Sequence, residues 1–241
     1  MELRKEKFEW SSGYDGETFD FDIELSTENK TEQVIELVKT SCLILASDGA
    51  TIGGDFNSEQ DIYMEPGETA KFTVNSGYNI FQSATGGGAN SVEAHIDTTF
   101  FRREFFNLGE IEVPAQDGEV SKLAKSKNVA GGDLQILGAT VSREPSEDAD
   151  RTINTCVGLR NLGEDAQQKV MVKSILIDRA GAQIDYSEYE EMIPPRSSAV
   201  ITPSVYTKAG RLKGATIKIT VTLFQRVVTS SVSIDSPTKQ N

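Results

Sequence analysis

Met64-Glu65-Pro66-Gly67-Glu68-Thr69-Ala70 and Met192-Ile193-Pro194-Pro195-Arg196-Ser197-Ser198 read as two versions of one turn. Aligned on Pro66 and Pro194, they stand 128 residues apart. Each is a proline turn that leads into a strand. A self-similarity of this length marks a duplicated domain rather than a short solenoid unit.

The similarity extends outward in both directions. Upstream, Thr40-Ser41-Cys42-Leu43-Ile44-Leu45-Ala46-Ser47-Asp48-Gly49-Ala50 answers to Val172-Lys173-Ser174-Ile175-Leu176-Ile177-Asp178-Arg179-Ala180-Gly181-Ala182. Both predict a buried apolar strand followed by a glycine turn. Further upstream, Asn29-Lys30-Thr31-Glu32-Gln33 and Asn161-Leu162-Gly163-Glu164-Asp165 each follow a strand as a polar turn. Downstream, Thr98-Thr99-Phe100-Phe101-Arg102-Arg103 matches Val221-Thr222-Leu223-Phe224-Gln225-Arg226. The offset there falls to 123 (Phe101 to Phe224), as expected where an intervening loop changes length.

The apolar runs are short, rich in β-branched residues and alternating, as in Ile217-Lys218-Ile219-Thr220-Val221-Thr222-Leu223. Helical periodicity is confined to one short turn expected within residues 119–128. The expected fold class is all-β: two tandem immunoglobulin-like β-sandwiches related by internal duplication. The expected boundaries are residues 1–114, a linker at 115–132, a second domain at 133–235 and a frayed tail at 236–241.

Leu134-Gln135-Ile136-Leu137-Gly138-Ala139-Thr140-Val141, Asn161 in the following turn, Ile175-Leu176-Ile177-Asp178-Arg179-Ala180-Gly181 and Ile193-Pro194-Pro195 occur in that order. This arrangement resembles immunoglobulin-like modules of the FxLYD type, although the tetrapeptide itself is absent. The resemblance implies a binding or spacer domain and brings no catalytic residues with it.

Charge divides unequally. Residues 1–114 hold 8 Lys+Arg and 22 Asp+Glu, whereas residues 115–241 hold 16 and 15. The first domain is therefore expected to be strongly acidic and the second near neutral. Nucleic acid and anionic membrane are excluded as expected partners by like-charge repulsion. A protein partner, or self-association through acidic and basic surfaces, is expected instead. No apolar stretch reaches the ~20 residues that span a bilayer. The charged start Met1-Glu2-Leu3-Arg4-Lys5-Glu6-Lys7 reads as cytoplasmic. Cys42 and Cys156 fall on different predicted strands and are expected as two buried free thiols.

Catalytic constellations are weak. His95 is the single histidine, and neither a CxxC nor a Gly-x-Ser-x-Gly motif is present, so no cofactor or metal is expected. The acidic runs at residues 144–150 and 185–191 lack an EF-hand spacing and read as solvated loops. The run Ala84-Thr85-Gly86-Gly87-Gly88-Ala89-Asn90 carries no Lys or Arg and reads as a hairpin tip rather than a phosphate cradle. Its counterpart, Lys208-Ala209-Gly210-Arg211-Leu212-Lys213-Gly214, concentrates three cations. Lys208, Arg211 and Lys213 are therefore the candidate contacts for an anionic partner. Phe101 and Phe105 are the candidate outward aromatics, expected to cover an interdomain contact or, as the alternative, to line an exposed binding face. The function these features favour is a non-enzymatic structural or protein-interaction module. The alternative is a carbohydrate- or calcium-dependent binding module, and a hydrolase using paired carboxylates stands third.

Overall fold

The computed structural model describes every residue except 13–18, 47–48, 76–91, 124–126, 129–132, 147–149, 165–166 and 236–241. The described chain is all-β. In chain order the strands are β1 (Leu3–Ser12), β2 (Phe19–Glu28), β3 (Ile35–Ala46), β4 (Thr51–Met64), β5 (Thr69–Asn75), β6 (Val92–Glu112), β7 (Val120–Leu123), β8 (Lys127–Asn128), β9 (Leu134–Pro145) and β10 (Asp150–Asn161). They continue as β11 (Gln168–Ile177), β12 (Gln183–Ile193), β13 (Ser198–Ile201), β14 (Ser204–Lys208) and β15 (Thr216–Asp235). A 3-10 turn at Ala209–Arg211 is the only helical element among the described residues. No helix there is long and apolar enough to cross a membrane.

The chain forms two compact units, Met1–Arg103 with Arg226–Asn241, and Glu104–Gln225. In unit 1 the sheet β1-β2-β5 shares one core with strands ordered β4-β3-β6-β15. In unit 2 the sheet β9-β10-β13 shares its core with β12-β11-β15-β6. Each unit is thus a two-sheet sandwich. Alternation fills the cores: Ile217, Ile219, Val221 and Leu223 of β15 are buried, as are Ile23 and Leu25 of β2. Fully burying side chains of this size contributes roughly 1.5–3 kcal/mol each.

Strand order and pairing register repeat between the units. Leu25 pairs Phe72 across β2 and β5, and Val157 pairs Ile201 across β10 and β13. Leu37 pairs Phe101, and Lys169 pairs Phe224. The first members of these pairs differ by 132 residues (25 to 157, 37 to 169), and the last two by the 123 seen in sequence. The glycine turns superpose as hydrogen-bond patterns. Ala46 N–H donates to Ala50 O and Gly49 N–H to Ala46 O; Asp178 N–H donates to Ala182 O and Gly181 N–H to Asp178 O. Gly49 and Gly181 both sit in the left-handed region, at φ 82° and 86°.

The proline turns match one residue away from the sequence alignment. Glu68 N–H bonds Glu65 O and Ser197 N–H bonds Pro194 O. Gly67 at φ 86° corresponds to Arg196 at φ 54°. Pro66 is therefore the equivalent of Pro195, not of Pro194. Between the two hairpins the offset falls by three because β4 has 14 residues and β12 has 11. Most of the surplus is taken up by register shifts: three between β3 and β4, against one between β11 and β12.

An asparagine clasp closes the corresponding end of each sandwich. Asn29 is fully buried, and its Nδ2 donates to Gln33 O at 2.8 Å and Met64 O at 3.1 Å. Its Oδ1 accepts from Thr31 N–H at 3.1 Å. Asn161, equally buried, donates to Ile193 O at 3.0 Å and accepts from Gly163 N–H at 2.9 Å. The backbone N–H of each, Asn29 to Glu68 O and Asn161 to Ser197 O, bonds at 2.8 Å.

The expected boundaries need correction. Residues 1–114 and 133–235 are not the units, because β6 and β15 each contribute to both. The stretch at 115–132 is not a free linker: β7 and β8 pair with β9, and neither forms the expected turn of helix. Asp117 lies 2.7 Å from Arg143 Nε and 2.9 Å from Arg151 Nε, and Arg143 Nη1 donates to Ala115 O at 2.7 Å. Burial explains the division, since Ile111 and Val113 belong to the core of unit 2 while Ile234 belongs to that of unit 1.

Both cysteines are free, Cys42 buried and Cys156 only half-buried. Burial, assisted by neighbouring Asp55, pushes the Cys42 thiol up to about 12 from 9.0. Unfolded chains then lose this proton before folded ones do. Cys42 should lower stability as pH rises from the unfolded value toward about 12, with no effect at neutrality. In a C156S background, a thiol reagent at mildly alkaline pH should leave Cys42 unmodified until denaturant is added. Replacing Asn29 or Asn161 by Ala should each cost about 1–3 kcal/mol in denaturant unfolding, because both strand ends lose buried partners.

Candidate functional site: a cationic end of unit 2

The loop from β14 to β15 is held from below by two small anchors. Leu212 and Ala215 are buried, and Leu212 N–H bonds Ala209 O at 3.2 Å while Ala215 N–H bonds Leu212 O at 3.1 Å. With the apolar side chains directed inward, Lys208, Arg211 and Lys213 are left exposed. Gly214 lies beneath Arg179: a Cβ there would stand 3.4 Å from Arg179 Cδ. Arg179, in the turn between β11 and β12, is also exposed and joins the same cationic end. Among the described residues none of these four forms an ion pair. The nearest carboxylate in sequence, Asp178, accepts from Ala180 N–H at 2.8 Å and Ala182 N–H at 2.9 Å, so its charge is directed into its own turn. Lys208 stands opposite Asp150 in the β10–β14 pairing without a salt bridge among the described residues.

Two guanidinium and two ammonium groups on one sandwich end suit carboxylate or phosphate groups of a partner. Arg179 was not singled out from sequence. Its turn was legible, but its approach to Gly214 depends on how two separate hairpins end together.

The structure gathers Lys208, Arg211 and Lys213 but not the two phenylalanines. Phe101 lies in unit 1, half-buried on β6 opposite Leu37 of β3. Phe105 lies in unit 2 on the sheet that does not carry Lys208, and is 61% exposed. Their neighbours turn inward. Phe100 packs edge-on against Phe72 with centroids 6.0 Å apart, and Phe106 packs on the core of unit 2.

The charge division also changes with the boundaries. Unit 1 carries 10 Lys+Arg and 20 Asp+Glu, and unit 2 carries 14 and 17. Glu104, Glu110 and Glu112 go to unit 2 with the end of β6, so its surface is mildly acidic overall and the cationic end is local.

The other constellations resolve individually. His95 Nδ1 lies 2.6 Å from Ser233 Oγ, and His95 Nε2 lies 3.3 Å from Glu93 Oε1. The serine arrives through the β6–β15 pairing, which no local motif announces. Imidazole and carboxylate are both 43% exposed on a sheet face. Water therefore competes for each contact, and the arrangement is a cross-strand hydrogen-bond chain. The run at 185–191 is edge strand rather than loop: Glu188 pairs Lys173 at 3.2 Å, Glu190 pairs Lys169 at 2.9 Å, and Asp185 accepts from Tyr206 N–H at 3.1 Å. Among the described residues no group of three His, Cys, Asp or Glu side chains could hold a metal ion. The glycine run at 84–90 and residues 147–149 of the other acidic run lie outside the described residues.

No protein-family model matches the chain, and no curated protein sequence matches it. Solved structures are similar to it in fold only. A glycosyl hydrolase family 2 member from Bacteroides cellulosilyticus is 11% identical over 89% of this chain and 26% of its own, with a TM-score of 0.30. A beta-glucuronidase from glycoside hydrolase family 2 is 12% identical over 88% and 24%, with a TM-score of 0.28. A structure titled pT26-6p is 8% identical over 90% and 60%, with a TM-score of 0.26. The chain thus spans about a quarter of the length of the glycoside hydrolases it resembles, and likeness at this level assigns neither activity nor substrate.

Proposed function

We propose that the protein is a non-enzymatic interaction module in which two copies of one immunoglobulin-like sandwich have diverged electrostatically. Its cationic end engages carboxylate-bearing protein surfaces, including unit 1 of a second copy. One contrast carries this reading. Several cations elsewhere are matched: Lys71 to Glu24 at 2.6 Å, Lys39 to Glu59 at 3.5 Å, Arg143 to Asp117 at 2.7 Å. At this end four exposed cations have no ion-pair partner among the described residues. The repeated strand order supports descent from a single module, in keeping with the FxLYD-type resemblance of the second copy.

Contacts of this kind steer association and weaken with salt. The purified chain should show a mass above 26.3 kDa by light scattering at low ionic strength, falling as salt is added. The triple reversal K208E/R211E/K213E should remove the salt-sensitive part. A mass that responds neither to salt nor to the reversal would overturn self-association through this end.

A further inference from the structure

Strand edges present unpaired N–H and C=O groups, and folded proteins protect them with charge, proline, bulges or brevity. Most edges here are protected in this way. Strand β1 carries Arg4, Lys5, Glu6, Lys7 and Glu9 and a register shift. Strand β4 has three register shifts against β3. Strand β12 carries Asp185, Glu188, Glu190 and Glu191. The end of β6 in unit 2 carries Glu104, Glu110 and Glu112.

The end of β15 is different. Its pairing with β11 stops at Phe224, so residues 226–235 have β6 on one side and no ladder partner on the other among the described residues. Residues 227–234 are Val-Val-Thr-Ser-Ser-Val-Ser-Ile: eight consecutive residues with no charge, proline or glycine. The β6 side is secured by Ser231 Oγ to Asp97 at 2.5 Å, Ser233 Oγ to His95 Nδ1 at 2.6 Å, and burial of Ile234. At the middle of this run Ser230 Oγ donates to Met1 O, and at its end Lys5 Nζ donates to Asp235 O at 3.0 Å. These are side-chain contacts and leave the strand without a second ladder. Thr229, Ser231 and Ser233 are exposed.

We propose that residues 226–235 are a self-pairing edge through which two copies of this chain associate antiparallel, extending the unit 1 sheet across a two-fold axis. Charge at the strand's ends identifies a second copy as the occupant. The uncharged run is bracketed by exposed Arg226 and exposed Asp235. Antiparallel pairing brings the basic end of each copy alongside the acidic end of the other, whereas parallel pairing sets like beside like. Between them the exposed Thr229, Ser231 and Ser233 meet without repulsion, while Val227, Val228 and Val232 pack on the core of unit 1. An isologous contact of this kind closes at two copies. A ten-residue edge is a small interface, so the dimer belongs to the concentration-dependent class. This inference concerns a different surface from the cationic end and does not depend on it.

The test uses the full chain carrying K208E/R211E/K213E, which silences the cationic end, at low ionic strength, where the exposed Arg226 and Asp235 are least screened. Sedimentation equilibrium should show mass rising from 26.3 kDa toward twice that value with concentration. The double substitution T229K/S231K should weaken the dimer by roughly tenfold or more, whereas T229A/S231A, which loses the same Ser231–Asp97 contact, should leave it intact and so assign the loss to the lysines. R226D and D235R should each weaken it, and R226D/D235R together should restore it, which a merely structural lesion would not do. A chain monomeric at every concentration, one that instead pairs with a foreign strand, or a dimer indifferent to the lysines and the charge swap overturns the proposal.

Discussion

The structure depends on using two strands twice. Strand β6 enters unit 1 through Val92, Ala94, Ile96 and Phe100 and reaches unit 2 through Ile111. Strand β15 does the reverse, burying Ile217, Ile219, Val221 and Leu223 in unit 2 before Ile234 reaches the core of unit 1. Every inward position on these strands is thus committed to one of two cores, and a slip of one residue would expose both sets. The bulges in β4 and the differences in loop length lie away from this shared pair, where changes in length disturb neither core.

The two units share strand order and turn patterns, and what they share shows which local features are required by geometry. Both copies keep a buried asparagine at the same corner because the backbone carbonyl at Met64, or at Ile193, turns inward there and needs a donor. Both keep a left-handed residue in the proline turn, glycine in one copy and Arg196 in the other. Arginine pays a steric cost at that φ that glycine avoids. Side chains facing solvent have no such obligations, which is why one copy could accumulate carboxylates and the other could place cations around Leu212.

Much of the fold was legible because it is written in period-two alternation and in a repeat. Cys156, expected to be buried, is half-buried, whereas the alternating strands, the 123-residue offset at Phe101 and Phe224 and the glycine turns follow from local pattern. The boundaries did not. Alternation says that residues 104–112 form a strand but not which core its inward face joins, so Glu104, Glu110 and Glu112 were counted with the wrong unit. The one-residue misalignment of Pro66 arose because Met64 and Met192 invite a match that burial refuses: Met64 is fully buried and Met192 is 44% exposed. In the candidate site, Lys208, Arg211 and Lys213 were visible as a run. Arg179 was not, because proximity between two hairpin ends is a tertiary fact. Phe105 shows the limit of reading alternation as contact, since pointing outward specifies no neighbour.

The shared strands also set the order in which the molecule can be completed. The sheet of unit 1 is finished by residues 226–235, so residues 1–103 leave the ribosome well before the strand that completes their sheet. Its β6 edge and apolar face stay open while about a hundred further residues are made, at rates of roughly 5–20 residues per second. Severing the chain between the two sequence repeats would leave each fragment lacking a strand that the other holds. The two sandwiches are kin in sequence, but they come to maturity together.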